Sequence, residues 1–420
     1  MILDLTKEFI EERSTSYHEL SLVERIAKLL DAKGIPAKVD RFNPRDYSPS
    51  APDTETANLY VDIGEGSETL FLYAHTDVVE APDSLFTPTI EHGKLKGRGT
   101  ADMKTALAGL VTTLIRDYEQ LKHTGKRIIF GFIADEETSA SGIKRFVDVY
   151  KPEELELRCV LMEPTNDFNQ IDVGGRGYTF LNLRGSMKET IASFRRILEH
   201  KQELLAQYPD LNDGFGPATL EITKVACDWS PPLSTTTIVE GKACHASTPH
   251  EGENALEKAI LLYPNTTYIV TSDTEGPNSL PSSARLLTHP TKLSEHLCDA
   301  NIDIRTNLAA SQNDALLQAM RKLLSPGVTY QIRDKGCAFK TKDRAFIDAC
   351  KNATDQEVRE VIAQGGSDAP YLLELTDKLI PGFGPGNLAV CHTDNEFVSL
   401  NALYQTPEVV RRIIRNFEAI

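Results

Sequence analysis

Histidine and carboxylate side chains directly follow three apolar segments of this chain. They are His75 and Asp77 after residues 71–74, Asp135, Glu136 and Glu137 after residues 127–134, and Glu163 after residues 159–162. The apolar segments have the composition of buried parallel strands, whose carboxyl ends meet at one edge of a sheet, where ligands gather in open α/β folds. Imidazole and carboxylate groups are the usual ligands of metal-dependent hydrolases. The pattern therefore predicts a metal site at that edge.

Two loops add candidates to this site. Residues 97–102 form a loop with glycines at positions 97 and 99, and this loop presents Asp102 directly before a helix-like run. Near the C-terminus, residues 384–387 lead through a short apolar segment, predicted as a strand, to His392. One histidine and one carboxylate on each of two ions, with a carboxylate shared between them, would form a dinuclear set. Taken singly, each histidine is more often a hydrogen-bonded structural residue, and adjacent acids are more often a solvated loop.

Strand and helix patterns alternate in the first part of the chain, which predicts an α/β fold with a mostly parallel sheet and helices on both faces. The length of 420 residues exceeds that of one compact core and favours two domains. From residue 176 the strands no longer end in polar clusters. We therefore expect a metal-binding domain of residues 1–175 and 335–420, with an α+β domain of residues 176–334 inserted into it. A helix is expected from 249 to 263.

Charge and cysteine content narrow the classes of partner and location. The formal net charge of −16 argues against nucleic acid and anionic membrane surfaces as partners. The sequence shows neither an apolar run of membrane-spanning length nor a secretory signal. Its seven cysteines are scattered and lack a CxxC pair, which predicts free thiols in a reducing compartment, the cytoplasm.

Six sequence blocks resemble the signature of the M20 metallopeptidase family and occur in the family's order. They are HTD at 75–77, GRGTADMK at 97–104, DEE at 135–137, EPT at 163–165, GGSD at 365–368, and GPGN with HTDNE at 384–396. Within the family the resemblance is strongest to the acetylornithine deacetylase and succinyl-diaminopimelate desuccinylase group. It implies a hydrolase that cleaves the linear amide bond of an N-acyl amino acid in amino-acid biosynthesis, with an inserted lid domain of ferredoxin-like fold.

The resemblance also implies a role for each clustered residue, with Asp102 bridging two divalent ions. The remaining ligands would be His75 and Glu163 on one ion and Glu137 and His392 on the other. Glu136 would be the general base that generates a metal-bridging hydroxide, and Asp77 would orient His75. The mixed histidine and carboxylate set favours zinc over cobalt or manganese.

The lid domain departs from the family pattern at a G-K-x-x-H-A-S block. In the family this block follows the first lid strand, and its histidine reaches the active site of the other subunit of a dimer. Here the block lies much later, at residues 241–247. His245 within it would stabilise the oxyanion of the reaction. The alternative is that His245 only precedes a helix.

The resemblance further implies substrate-binding residues and a homodimer formed through the lid domain. The candidates for binding a small N-acyl amino acid or dipeptide are Arg305, Asn278, Gly366 and Ser367. Arg305 would clamp a substrate carboxylate through two parallel hydrogen bonds, whereas the plain alternative is a surface ion pair.

Three functions stay open at this point. The first is a dinuclear amidohydrolase, and the second is a peptidase of the same family that cleaves a dipeptide or removes a C-terminal residue. The third is a binding protein that kept the fold without the catalysis, which the displaced block at 241–247 would favour. Glu136 argues against the third, because a protein that only binds has no use for a general base.

Overall fold

The computed structural model describes two compact units of the chain. It covers residues 1–153, 155–206, 218–227, 237–242, 244, 249–263, 268–271, 280–287, 297–306, 310–363 and 365–420. Unit 1 consists of Met1–Gly174, Lys340–Ala363 and Ser367–Ile420, and unit 2 consists of Gly175–Phe339 and Gln364–Gly366. The assignment of these units to catalysis and to a lid stays a prediction.

The regular elements are numbered in chain order. The strands are β1 (Lys38–Phe42), β2 (Thr56–Ile63), β3 (Glu68–His75), β4 (Thr89–Glu91), β5 (Lys94–Lys96), β6 (Arg127–Ile133), β7 (Glu156–Leu161), β8 (Gln170–Gly175), β9 (Gly177–Ser186), β10 (Thr219–Cys227), β11 (Thr237–Glu240), β12 (Tyr268–Thr271), β13 (Ser283–Leu287), β14 (Leu297–Thr306), β15 (Thr329–Gly336), β16 (Phe339–Lys340), β17 (Arg359–Ala363), β18 (Leu379–Ile380) and β19 (Phe397–Ser399). The helices are α1 (Ile2–Glu11), α2 (Leu20–Asp31), α3 (Lys104–Leu121), α4 (Ser141–Tyr150), α5 (Met187–Ala206), α6 (Ala255–Leu262), α7 (Ala310–Arg321), α8 (Arg344–Lys351), α9 (Ala369–Leu372) and α10 (Leu400–Glu418). Within the described part of the chain, no helix combines the length and the apolar character needed to cross a bilayer.

Unit 1 is organised around a six-stranded sheet in the order β1-β2-β6-β3-β7-β18. The pairings β6–β3, β3–β7 and β7–β18 are parallel, whereas β1 and β2 add an antiparallel edge. Strand β3 lies in the middle, and its residues 70–74 are completely buried, as expected for an apolar strand covered on both faces. Helix α3 packs against β3 and α4 against β2. The predicted α/β class with a mostly parallel sheet is confirmed.

The register of this sheet brings the polar chain segments to one edge. His75 is aligned with Ile133 of β6, and Tyr73 is aligned with Leu161 of β7. Because the three strands are parallel and end in line, the residues that follow each of them emerge side by side. Those residues are the ones that the sequence marked as candidate ligands.

Unit 2 is an α+β unit with two antiparallel sheets. Strands β9, β10, β14 and β15, with α5 and α7 between them, form a sheet in the order β10-β14-β9-β15, which is the βαββαβ arrangement of ferredoxin-like folds. The segment between β10 and β14 adds α6 and a second sheet, in the order β11-β13-β12. A common apolar core joins both sheets, with Phe194, Leu220, Leu256 and Leu286 among its buried members.

Side chains of this added segment cover the outer edge of β10. The backbone N–H of Ile222 donates to Glu257 Oε1 at 3.3 Å, and Asn254 Nδ2 donates to the Ile222 carbonyl at 3.0 Å. Thr271 Oγ1 accepts from the Val225 N–H at 3.3 Å and donates to the Val225 carbonyl at 3.2 Å. The edge-facing backbone groups of Ile222 and Val225, which could pair with a strand of another molecule, are therefore satisfied within the chain.

Two predicted elements were wrong. The helix expected from 249 begins at Ala255, because Asn254 caps it by accepting hydrogen bonds from the N–H groups of Leu256 and Glu257. Residues 249–251 form a separate 3₁₀ turn. The strand expected before His392 is a 3₁₀ turn at Leu388–Val390, and His392 follows with a left-handed backbone, φ 63°.

Replacing Thr271 with valine tests the cover on β10. Valine keeps the shape but leaves the buried N–H and C=O of Val225 without partners, so we expect a loss of about 1–3 kcal/mol in the stability of unit 2. Hydrogen exchange of residues 219–227 should accelerate. Thr237→Val, at an exposed position of β11, is the control. Unchanged exchange in Thr271→Val would show that the threonine does not protect the edge.

Candidate metal centre

Two imidazoles face opposite oxygens of one carboxylate. His75 Nε2 lies 2.9 Å from Asp102 Oδ1, and His392 Nε2 lies 3.3 Å from Asp102 Oδ2. His75 is completely buried at the end of β3, whereas the His392 side chain is 48% exposed. A carboxylate between two histidines is the arrangement that a ligand shared by two cations requires.

Two further carboxylates complete two groups of possible ligands around Asp102. The groups are His75, Asp102 and Glu163, and Asp102, Glu137 and His392. Within each group the ligand atoms lie within 4.8 Å of one another, and His392 Nε2 is 3.0 Å from Glu137 Oε2. The structure thus brings together the five residues that the sequence singled out as ligands, in the two sets that the family resemblance implies.

Glu136 stands apart from both of these groups. Its carboxylate forms a third group with His75 and Glu137, again within 4.8 Å. Burial, and next to it the negative charge of Glu163, raises the pKa of Glu136 well above its usual value. Glu136 is therefore beside the possible ligands without belonging to either set that includes Asp102.

Asp77 supports the site differently from what the sequence predicted. The His75 Nδ1 atom is closer to the backbone carbonyl of Asp77, at 3.0 Å, than to its carboxylate, at 3.4 Å. The carboxylate instead accepts hydrogen bonds from the backbone N–H groups of Glu136 and Glu137, each at 3.1 Å, and from Ser16 Oγ at 2.8 Å. Asp77 therefore holds both the ring of His75 and the turn that carries the two glutamates.

The donor set fits a pair of divalent cations. Glu163 Oε1 is buried and has no hydrogen-bond partner among the described residues, although burial of such an atom is costly unless something else binds it. Burial, followed by the charges of Asp102 and Asp368, raises the pKa of Glu163. Hydrogen bonds from His392 and His75 hold the pKa of Asp102 far below its usual value despite its burial. The two ligand groups thus hold three carboxyl groups and two imidazoles, and oxygen and imidazole nitrogen are suitable zinc ligands.

The loop of Asp102 is packed closely against the GPGN segment. Gly386 has a φ of +96°, and a Cβ built on it would lie 2.8 Å from Cα and Cβ of Ala101. Any larger residue would push these two loops apart. Gly386 is therefore needed for the close approach of these two loops.

Sequence reasoning missed several buried acids around the centre. Glu19 Oε1 accepts hydrogen bonds from the N–H groups of Tyr17 and Asp135, at 2.9 and 3.1 Å, and Thr56 donates to its other oxygen. Asp368 Oδ2 accepts from Tyr73 at 2.7 Å, and burial raises the pKa of Asp368 to about 8. Glu19 follows a short loop with no recognisable pattern, whereas Asp368 ends the GGSD block, which could have marked it.

The predicted substrate-binding residues are only partly described. Arg305 is buried on β14, where its Nε and Nη2 donate to Asp303 at 2.7 and 3.0 Å, and Nη1 has no hydrogen-bond partner among the described residues. Arg305 is thus not part of a surface ion pair, which was the alternative interpretation. One edge of its guanidinium is, however, already bound to Asp303. Ser367 is half-buried in unit 1, and Gly366 is exposed. His245 and Asn278 lie outside the described residues.

Comparison with known proteins agrees with this geometry. The sequence signature of peptidase family M20/M25/M40 matches residues 71–416. Succinyl-diaminopimelate desuccinylase of Buchnera aphidicola subsp. Cinara cedri (strain Cc) is 33% identical over 174 residues, which are 40% of this chain and 43% of that protein. The enzyme of the same name from Methylococcus capsulatus (strain ATCC 33009 / NCIMB 11132 / Bath) is 24% identical, covering 100% of this chain and 99% of that protein. The chain thus matches less than half of the first relative and nearly all of the second.

Solved structures share the fold over the whole chain. Human carnosine dipeptidase 1 is 12% identical with a TM-score of 0.66, covering 100% of this chain and 96% of that chain. The M20 family metallo-carboxypeptidase Sso-CP2 from Sulfolobus solfataricus is 14% identical with a TM-score of 0.61, covering 100% and 99%. At such identities the likeness shows the fold alone, whereas the family signature spans most of the sequence. The predicted resemblance is confirmed: the chain belongs to peptidase family M20/M25/M40 and is a metal-dependent hydrolase of amide bonds.

Proposed function

We propose that the chain removes the acyl group from an N-acyl amino acid, with acetylornithine and succinyl-diaminopimelate as the expected kinds of substrate. The observation that carries the proposal is the position of Asp102 between the Nε2 atoms of His75 and His392. A carboxylate so placed suits two cations in one centre, which is the arrangement used to hydrolyse an amide. The names of the relatives support the choice of a succinylated diamino acid.

The ligands in this proposal are the two groups around Asp102, and zinc is the favoured ion. Bound there, a pair of divalent cations would supply Lewis acidity, which polarises the scissile carbonyl and lowers the pKa of the attacking water. The Asp77 carbonyl accepts the proton on His75 Nδ1, so that Nε2, which faces Asp102, would be the nitrogen that gives up its proton to bind a cation. The protein thus fixes the tautomer of this ligand before substrate arrives.

Glu136 is the proposed general base. It lies next to His75 and Glu137 but outside the two groups around Asp102, so its carboxylate can take a proton from water and return it to the leaving nitrogen. Glu137 is the proposed ligand, because its carboxylate reaches His392 at 3.0 Å. The hydrogen bonds from both backbone N–H groups to Asp77 keep base and ligand in a fixed relation.

Other parts of the proposal concern the lid, the partner and the location. His245 as oxyanion donor and Asn278, Gly366, Ser367 and Arg305 as substrate contacts remain proposals. A homodimer through unit 2 is also proposed. Among the described residues, Cys159, Cys337, Cys350 and Cys391 are free thiols, which supports a cytoplasmic location. Light scattering of the purified protein would decide the oligomeric state.

Removing the charge of Glu163 should affect the stability of the metal-free protein and its metal binding in different ways. In chelator-treated protein we expect Glu163→Gln to melt at the same or a higher temperature than wild type, because one buried, unpartnered carboxylate is gone. Zinc at 100 times its dissociation constant should stabilise wild type by about 2.7 kcal/mol for each of the two sites, and the variant by less. Asp31→Asn, an exposed change at the end of α2, should respond to zinc like wild type. An equal zinc response in Glu163→Gln would remove Glu163 from the ligand set.

Two neighbouring substitutions should fail in different ways. Glu136→Gln should keep both metal ions but lower kcat by about 10²–10⁴-fold, the usual contribution of a general base. Glu137→Gln should lose an ion, because it removes a ligand. Metal content by mass spectrometry, together with steady-state kinetics, makes the comparison. Unchanged turnover in metal-loaded Glu136→Gln would contradict the mechanism.

A substrate panel decides between the remaining functions. Acetylornithine, succinyl-diaminopimelate and a set of dipeptides should be compared by kcat/KM on zinc-loaded protein. We expect an N-acyl diamino acid to be preferred. A strong preference for dipeptides would replace the deacylase by a peptidase of the same family, and tight binding of all substrates without hydrolysis would indicate a binding protein.

A further inference from the structure

Glu396 connects the two loops that carry Asp102 and His392. Its Oε1 accepts hydrogen bonds from the backbone N–H groups of Ala101 and Asp102, at 2.9 and 3.1 Å. Its Oε2 accepts from Arg98 Nη1 at 2.5 Å, and its backbone carbonyl accepts from the N–H of Gly97 at 3.2 Å. One residue thus binds the 97–102 loop at four donors, while its own chain leads back to His392 four residues earlier.

These contacts lie in the protein interior, away from solvent. The side chain of Glu396 is completely buried and that of Arg98 is 3% exposed. Hydrogen bonds to a charged acceptor in such surroundings are shorter and stronger than those between neutral groups. Arg98 also neutralises Glu396, so that this acid adds no further negative charge to the neighbouring ligand cluster.

Regular structure does not by itself fix the two loops. Strand β19 pairs with β5, from Phe397 opposite Lys96 to Ser399 opposite Lys94, and this pairing ends before either ligand is reached. Beyond its end, the backbone N–H of Asp102 donates to Glu396, while the Asp102 carboxylate lies between His75 and His392. The carboxylate of Glu396 therefore connects the two loops beyond the last residue pair of β5 and β19.

We propose that Glu396 is a positioning residue for the metal centre, which sets the Asp102 carboxylate at the distance from His392 that two cations need. The inference rests on the proposed dinuclear site, and it adds Glu396 to the residues with a proposed role there. Glu396 does not bind a cation itself, because both of its oxygens are engaged. It acts through the backbone of Asp102 and through the short segment that joins it to His392.

Glu396→Gln is the test. A glutamine has the same shape, but only its amide oxygen can accept a hydrogen bond. If this oxygen faces the N–H groups of Ala101 and Asp102, the NH₂ group faces Arg98, which is also a donor. If the amide is flipped, the NH₂ group faces the two backbone donors instead. One side of the connection is lost in either case. We expect the affinity for Zn²⁺ at the two sites, measured by chelator competition, to fall about 10- to 100-fold, as is usual when groups behind metal ligands are changed. The visible absorption of bound Co²⁺ should also change in shape.

Asp40→Asn is the matched control. Asp40 forms a largely buried pair with Arg145, with two contacts of 2.9 Å, and none of its hydrogen-bond partners is a candidate ligand. Both variants should lower the melting temperature, but Asp40→Asn should keep wild-type Zn²⁺ affinity and the wild-type Co²⁺ spectrum. If Glu396→Gln does not fold, Glu396→Asp keeps the charge but cannot reach both partners, and the same loss of affinity is expected.

The outcomes separate this inference from the proposed function. Wild-type protein that binds fewer than two ions would overturn the dinuclear site, and Glu396 as its positioning residue with it. Wild type that binds two ions, with Glu396→Gln equal to it in affinity and Co²⁺ spectrum, would overturn only the role of Glu396. Weaker binding together with an altered spectrum in Glu396→Gln, and not in Asp40→Asn, supports it.

Discussion

Repulsion between like charges is the constraint on which this site depends. Asp102, Glu136, Glu137 and Glu163 lie together at the end of a buried sheet, where the low dielectric strengthens every charge interaction. Such a cluster is costly for the fold unless cations or donors compensate it. Two imidazoles compensate part of the charge in the structure, and the proposed divalent cations would compensate the rest.

Buried acids that are not ligands hold the loops of the site in place. Asp77, Glu19 and Glu396 each accept hydrogen bonds from two backbone N–H groups of loops around the centre. Backbone donors in loops would otherwise need water, which a buried site cannot supply. Carboxylates thus have two uses here: some face the centre as possible ligands, and others turn flexible segments into fixed supports. The supports lie in the same unit as the ligands.

The sequence predicted the ligand cluster because a strong signal was available. An apolar strand followed at once by His75, or by Glu163, is hard to explain as a solvated surface, and parallel strands must end together. The family resemblance then divided the residues into two sets, which spacing could not do. Roles of supporting residues were harder to predict, since a hydrogen bond from Ser16 to Asp77 crosses 61 positions without any pattern. For Asp77 itself the sequence indicated the contact with His75, but not that the backbone carbonyl would make the closer one.

Local errors had local causes. Helix α6 starts at Ala255 because Asn254 caps it, and the apolar run before His392 forms a 3₁₀ turn at Leu388–Val390. A domain boundary near residue 176 was predicted because the strands beyond it no longer end in polar clusters. The first unit of the structure ends at Gly174, and the second begins at Gly175. His245, which was predicted as a lid residue, falls in a segment that the structure does not describe.

The cover on β10 also affects how the protein behaves in concentrated solution. A sheet that ends in bare backbone invites strands from neighbouring molecules, and the resulting stacks grow without limit. Here Thr271, Asn254 and Glu257 close that end with side chains, which cannot be extended by a further strand. At Ile222 and Val225 this edge therefore offers a neighbouring molecule no free backbone groups with which to pair.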